Sequence, residues 1–140
     1  PAIAEGVAEV EAIVAIAARR RGLTIASELP ADLPAVRADR VMIGQVLFNL
    51  LRNGIEAMAG REPGRRRLVV AAGPGADGTT VEVTVADSGP GLEPFHPSKA
   101  EGLGVGLNIC RSIVEFHGGR LWVTETPAGG AIFHFTLPVA

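Results

Sequence analysis

Cysteine occurs once in this chain, at Cys110, so neither a disulfide framework nor a multi-cysteine zinc site can organise it. A lone thiol fits a reducing compartment. Basic surplus is missing too. Thirteen Lys and Arg face 15 Asp and Glu, a net charge of −2, and that balance excludes a general nucleic-acid binder, which needs cations to displace counterions. No apolar run approaches the roughly 18 residues that indicate a membrane span, and nothing resembles a signal peptide. No repeat with a period of about 20–50 residues is present. What remains is 140 residues, 47% hydrophobic and 20% charged: enough for one domain with its own core, and too apolar for disorder. The opening residue is Pro1 rather than methionine, which leads us to expect a domain excised or processed from something larger.

Glycine and proline divide the chain. Apolar residues recur at helical spacing over Val7–Ala18, with Glu5, Glu9 and Glu11 near the start and Arg19, Arg20 and Arg21 near the end, as a helix dipole favours. Leu23–Leu29 alternates as a short strand, and a loop over Pro30–Pro34 leads to a brief extended Ala35–Arg37. Asp39 is placed to cap the longest helix, which runs to about Ala59. Arg67–Ala72 and Thr80–Ala86 read as strands joined by a Gly/Pro/Asp hairpin loop. The stretch from Asp87 to Gly106 is too rich in glycine and proline for either regular element. A helix over Leu107–Phe116 stops at His117-Gly118-Gly119, and strands over Arg120–Glu125 and Ala131–Leu137 close the chain. Paired strands without strict βαβ alternation predict an α+β fold, with helices on one face of a mixed sheet.

Three segments can carry chemistry. In the long helix Gln45, Asn49, Asn53 and Glu56 fall within about 80° of one another. That is either a solvated stripe or a hard-cation site, since a carboxamide oxygen suits Mg²⁺ while water and phosphate complete its shell. Asp87-Ser88-Gly89-Pro90-Gly91 follows an apolar strand. It is either an ordinary turn, or a rim where the Asp87 carboxylate accepts an exocyclic amine while Gly89 and Gly91 admit a flat ring. Gly102-Leu103-Gly104-Val105-Gly106-Leu107 enters a helix, an arrangement that suits phosphate, and the chain's only lysine, Lys99, precedes it by three residues.

Other constellations do not carry through. His96, His117 and His134 lack metal-ligand spacing, no nucleophile elbow surrounds Ser112, and Cys110 reads as a core residue. Arg65-Arg66-Arg67 reads as a solvated turn, with an acidic-partner contact as the alternative.

The order of these segments resembles the catalytic and ATP-binding domain of bacterial sensor histidine kinases. Gln45 to Ala57 is similar to its N box, Asp87–Gly91 to its G1 box, Pro94–Lys99 to its F box and Gly102–Arg111 to its G2 box. Gly118-Gly119 and Phe133–Pro138 match the closing strands, so the resemblance runs roughly from Val7 onward. It implies a Bergerat ATP-binding fold: a two-layer sandwich of a mixed, about five-stranded sheet backed by three helices, as one domain over 1–140 without the histidine-bearing dimerisation domain. By resemblance, Asn53 is the Mg²⁺ ligand, Asn49 lines the metal and phosphate site, and Asp87 binds the adenine amine. Gly89 and Gly91 border the base. Ser98, Lys99, Gly102, Gly104, Gly106 and Leu107 form the phosphate side of a lid, with Asn49 and Lys99 as the catalytic pair.

The implied reaction is transfer of the ATP γ-phosphate to a histidine on a separate dimerisation domain, with a response-regulator receiver as the later acceptor. In gyrase-like ATPases a glutamate general base typically occupies the position of Asn49, and a carboxamide cannot act as a base. Rapid hydrolysis is therefore not expected. Three departures stand out. Gly54 replaces a usual alanine, Ala131 replaces a Ser or Thr and loses a contact near the base, and only Leu92-Glu93-Pro94 separates Gly91 from Phe95, a short lid. The short lid motivates the alternative of a non-catalytic nucleotide-binding or interaction module. The resemblance further implies a cytoplasmic, monomeric piece of a parent that dimerises through its helices, without nucleic-acid binding or membrane insertion of its own.

Overall fold

The computed structural model describes residues 3–20, 23–30, 33–57, 66–76, 78–87, 105–125 and 131–140. Among these described residues eight elements follow in order: α1 (Ile3–Arg20), β1 (Leu23–Glu28), α2 (Arg40–Ala57), β2 (Arg66–Pro74), β3 (Thr80–Asp87), α3 (Val105–Phe116), β4 (Leu121–Glu125) and β5 (Ala131–Pro138). The strands form one sheet in the order β1-β2-β3-β5-β4. β1 runs parallel to β2 and every other pair is antiparallel, so the sheet is mixed, as the pairing of strands in the sequence predicts.

Period-two alternation decides which face is covered. Val81, Val83 and Val85 of β3 and Phe133, Phe135 and Leu137 of β5 point inward and are buried, while Glu82, Thr84, His134 and Thr136 lie half-buried on the other face. Against the inward face pack Val7, Val10 and Val14 of α1, Val46, Leu47, Leu50 and Leu51 of α2, and Cys110, Ile113 and Val114 of α3. Burying each large apolar side chain contributes about 1.5–3 kcal/mol. By contrast, the exposed pairing of Arg40 with Glu5 and Glu9 is worth at most about 1 kcal/mol, so the aliphatic core holds the helices to the sheet.

Local signals account for the element ends. Asp39 Oδ1 accepts the Met42 N–H at 3.0 Å, the N-cap expected for α2. α3 ends where Gly118 takes a φ of 81°, with Gly118 N–H donating to Glu115 O and Gly119 N–H to Val114 O, both at 2.9 Å. That is a Schellman stop, and it explains the position of Gly118. Gly119 is needed for a second reason: a Cβ there would stand 1.8 Å from Thr136 O. The expected extended Ala35–Arg37 is a single bridge, Val36 to Val139.

Candidate active site between α2 and α3

Two contacts fix how α3 lies along α2. Asp39 N–H, at the start of α2, donates to His117 Nε2 at 3.0 Å, just past the end of α3. Farther along, the Cys110 thiol faces Val46 O at 3.9 Å. Each pair of anchors is seven residues apart on its own helix, about 10.5 Å of rise, so the helices run antiparallel in register. Extending that register sets Asn49 level with the first turn of α3, and Asn53 lies one turn beyond, alongside the N-terminal end. There α3 presents N–H groups without intrahelical acceptors and the positive end of its dipole.

Burial separates the two readings of the carboxamides. Asn49 is 8% exposed and Asn53 4%, so these two are not a solvated stripe. Burying an amide without a partner costs free energy, and Asn53 Nδ2 has no hydrogen-bond partner among the described residues. Exchanging the amide oxygen and nitrogen turns that corner into an acceptor, so the side chain suits a hard cation. The donor set therefore fits Mg²⁺ at Asn53. Asn49 also touches Cys110. Burial pushes the Cys110 thiol above its ordinary pKa, while the hydrogen bond from Asn49 and the charge of Arg52 pull partly the other way. Arg52 itself stands 5.8 Å over the Phe48 ring.

Asp87 takes the last inward position of β3, where alternation elsewhere places valine. It is 9% exposed, and its Oδ2 accepts the Ala131 N–H at 3.3 Å. A carboxylate offers about four acceptor sites. This bond orients the group. The main chain of Ala131 makes the contact, so an alanine in place of Ser or Thr still holds Asp87.

Among the sequence-expected site residues, the structure describes Asn49, Asn53, Asp87, Gly106 and Leu107. α3 begins two residues before the expected start, which puts Gly106 and Leu107 in its first turn rather than at its entrance. Gly89, Gly91, Ser98, Lys99, Gly102 and Gly104 lie outside the described residues, as do the lid and Met58. His117, set aside as a metal ligand, proves to join two helices. No spacing signal could have revealed that bond, because 78 residues separate its ends.

The family profile described as histidine kinase-, DNA gyrase B- and HSP90-like ATPase matches residues 38–140, from the α2 cap to the last strand. The chain belongs to this family. Membership makes it an ATP-binding domain, and the relatives that it resembles are sensor histidine kinases. It is 44% identical over 147 residues to the C4-dicarboxylate transport sensor protein DctS of Rhodobacter capsulatus, covering 98% of this chain and 22% of that protein. It is 46% identical over 132 residues to the sensor protein FixL of Bradyrhizobium diazoefficiens, covering 88% and 26% respectively. The chain thus spans about a quarter of these relatives. Among solved structures, the nucleotide-free catalytic domain of the histidine kinase ThkA superposes with a TM-score of 0.80 at 30% identity, covering 98% of this chain and 92% of that one. ThkA in complex with the response regulator protein TrrA gives 0.79 at 30% identity, with 99% and 40% covered. The mixed sheet with three helices on one face is therefore the fold of a histidine-kinase catalytic domain. No described helix is long and apolar enough to cross a membrane.

Proposed function

We propose that the chain binds ATP with Mg²⁺ between α2, α3 and the end of β3, and donates the γ-phosphoryl group to a histidine on a separate helical domain. The observation that carries this reading is the antiparallel register of α2 and α3. It sets two buried carboxamides, one with an unpartnered atom, beside the N-terminus of a helix. The Asp87 carboxylate accepts the adenine amine. Asn53, with the phosphates and water, holds the cation, and Asn49 borders the phosphates. Mg²⁺ supplies charge neutralisation as negative charge redistributes over the polyphosphate.

Transfer breaks the bond between the γ-phosphorus and its bridging oxygen and forms a phosphorus–nitrogen bond to the acceptor imidazole, leaving ADP. Such a reaction asks mainly for positioning and electrostatic stabilisation. This chain's residues meet that requirement. Asn49 has no basicity with which to activate water, so ATP is held for an external nucleophile. Gly89 and Gly91 border the base, while Ser98, Lys99, Gly102, Gly104, Gly106 and Leu107 close over the phosphates, with Lys99 neutralising the terminal one. The acceptor helices belong to the same kinase and pass the phosphoryl group to a receiver domain. A response-regulator partner is supported by ThkA, whose complex with the response regulator protein TrrA shares this fold.

The test mixes the chain with a histidine-bearing helical fragment from a similar kinase, γ-labelled ATP and Mg²⁺. Acid-labile label on the fragment is the expected result. Nucleotide binding without transfer would favour the non-catalytic module, and brisk release of free phosphate would favour a gyrase-type ATPase.

A further inference from the structure

The bond between His117 and Asp39 fixes more than a helix end. Its donor, the Asp39 N–H, can only donate, so His117 Nε2 must accept. The other ring nitrogen, Nδ1, lies 2.8 Å from Ile113 O, which can only accept, so Nδ1 must carry the proton. One neutral tautomer satisfies both contacts, and the ring is clamped between the last turn of α3 and the N–H of the residue that caps α2. His117 also stands edge-to-face on Phe116, with ring centroids 5.4 Å apart, which limits its rotation. Asp39 simultaneously caps α2 through Met42, and its own C=O accepts the first intrahelical bond from Ile43 N–H at 3.0 Å. The same short segment therefore starts α2 and receives α3.

Because the helices are stiff and antiparallel, this clamp and the Cys110–Val46 contact together set which turn of α3 meets Asn49 and Asn53. We infer that His117, as its Nδ1–H tautomer, is a positioning residue: it holds the N-terminus of α3 in register with the two asparagines and so sets nucleotide affinity from the far end of the site. The inference rests on the nucleotide reading above. His117 touches neither base nor phosphate in this scheme; its effect passes through the placement of α3.

The test compares His117→Gln, His117→Asn and His117→Phe in the whole chain. A glutamine places an acceptor where Nε2 stands, whereas an asparagine reaches only the Nδ1 position and phenylalanine fills the space with neither group. Dissociation constants for Mg-ADP are measured by calorimetry at a temperature where circular dichroism finds each variant fully folded. A merely structural role would lower the melting temperature and leave the constant of the folded protein unmoved. We expect His117→Phe and His117→Asn to weaken Mg-ADP by about 3- to 10-fold, the effect of one lost hydrogen bond, and His117→Gln to stay within about 2-fold of the parent. Nitrogen-15 spectra of the parent imidazole should report the Nδ1–H tautomer. An unchanged constant in folded His117→Phe, a loss in His117→Gln equal to that in His117→Phe, or the Nε2–H tautomer would each overturn the assignment. If His117→Phe does not fold, the Gln and Asn pair decides by the same criterion. Failure of the parent chain to bind Mg-ADP at all would instead refute the nucleotide reading, and His117's role in affinity with it.

Discussion

Replacing Gly54 by alanine sets two opposing effects against each other, and the structure decides between them. Alanine in a helix interior is favoured over glycine by about 1 kcal/mol, so propensity alone makes the change stabilising. Gly54, however, lies on the sheet-facing side of α2. A Cβ there would meet Leu68 Cδ2 at 2.6 Å and Cδ1 at 3.2 Å. Leu68 is 1% exposed, inside a core packed to crystal-like density, so its methyl groups have little room to retreat. Overpacking of this kind costs about 1–3 kcal/mol. The sum is a net loss of up to about 2 kcal/mol, which for a domain of this size lowers the melting temperature by up to roughly 6 °C. Thermal unfolding followed by circular dichroism reads this directly. A companion variant, Leu68→Val, costs about 1 kcal/mol alone by leaving a small void. Combined with Gly54→Ala it should recover stability, with a favourable coupling of about 1 kcal/mol or more. A higher melting temperature for Gly54→Ala, with no coupling, would mean that α2 does not press on β2 as described, and the placement of Asn53 would fall with it.

Three further outcomes are expected. Asp87→Asn keeps an acceptor for the Ala131 N–H but loses the charge, so adenine-nucleotide affinity should fall by about 1–3 kcal/mol with little change in unfolding; titration calorimetry checks it, and an unchanged constant removes Asp87 from the site. Asn53→Ala should abolish the Mg²⁺ dependence of triphosphate binding, and dependence that persists would place the cation elsewhere. Burial pushes the Glu11 carboxyl above its ordinary pKa, and its Oε1 is buried without a partner among the described residues. The protonated form is then favoured by folding, so Glu11's stabilising contribution is complete below the ordinary carboxyl pKa and lost as pH rises through the raised one. Glu11→Gln should therefore melt higher than the parent at pH 7, and the two curves should converge as pH is lowered past the ordinary carboxyl range.

Much of this was legible in the residues because it is local. The N-cap at Asp39, the Gly118-Gly119 stop and the alternation in β3 and β5 each depend on neighbours a few positions away, and each element formed where the pattern placed it. Ends were less legible: α1 gains residues at both ends of the expected span, and β2 runs on to Pro74, because tertiary packing extends elements past what propensity alone supports. Spacing put Asn49 and Asn53 on one face but left their environment undecided. Burial beside α3 settled it, and burial is a property of the assembled fold. The links that frame the candidate site, Asp87 to Ala131 and Asp39 to His117, join residues 44 and 78 positions apart, each from a main-chain N–H to a side-chain acceptor. Such bonds leave no periodic trace in a sequence.

In the proposed scheme the asparagine face of α2, the start of α3 and Asp87 surround one adenine nucleotide. Side-chain amide spectra of the nitrogen-15-labelled chain, titrated with Mg-ADP, test it most directly. The Asn49 and Asn53 amides and the Gly106 N–H should shift together and saturate at one nucleotide per chain, with the Asp87→Asn variant needing more ligand. Saturating shifts confined to other residues, or none at millimolar nucleotide, would contradict it.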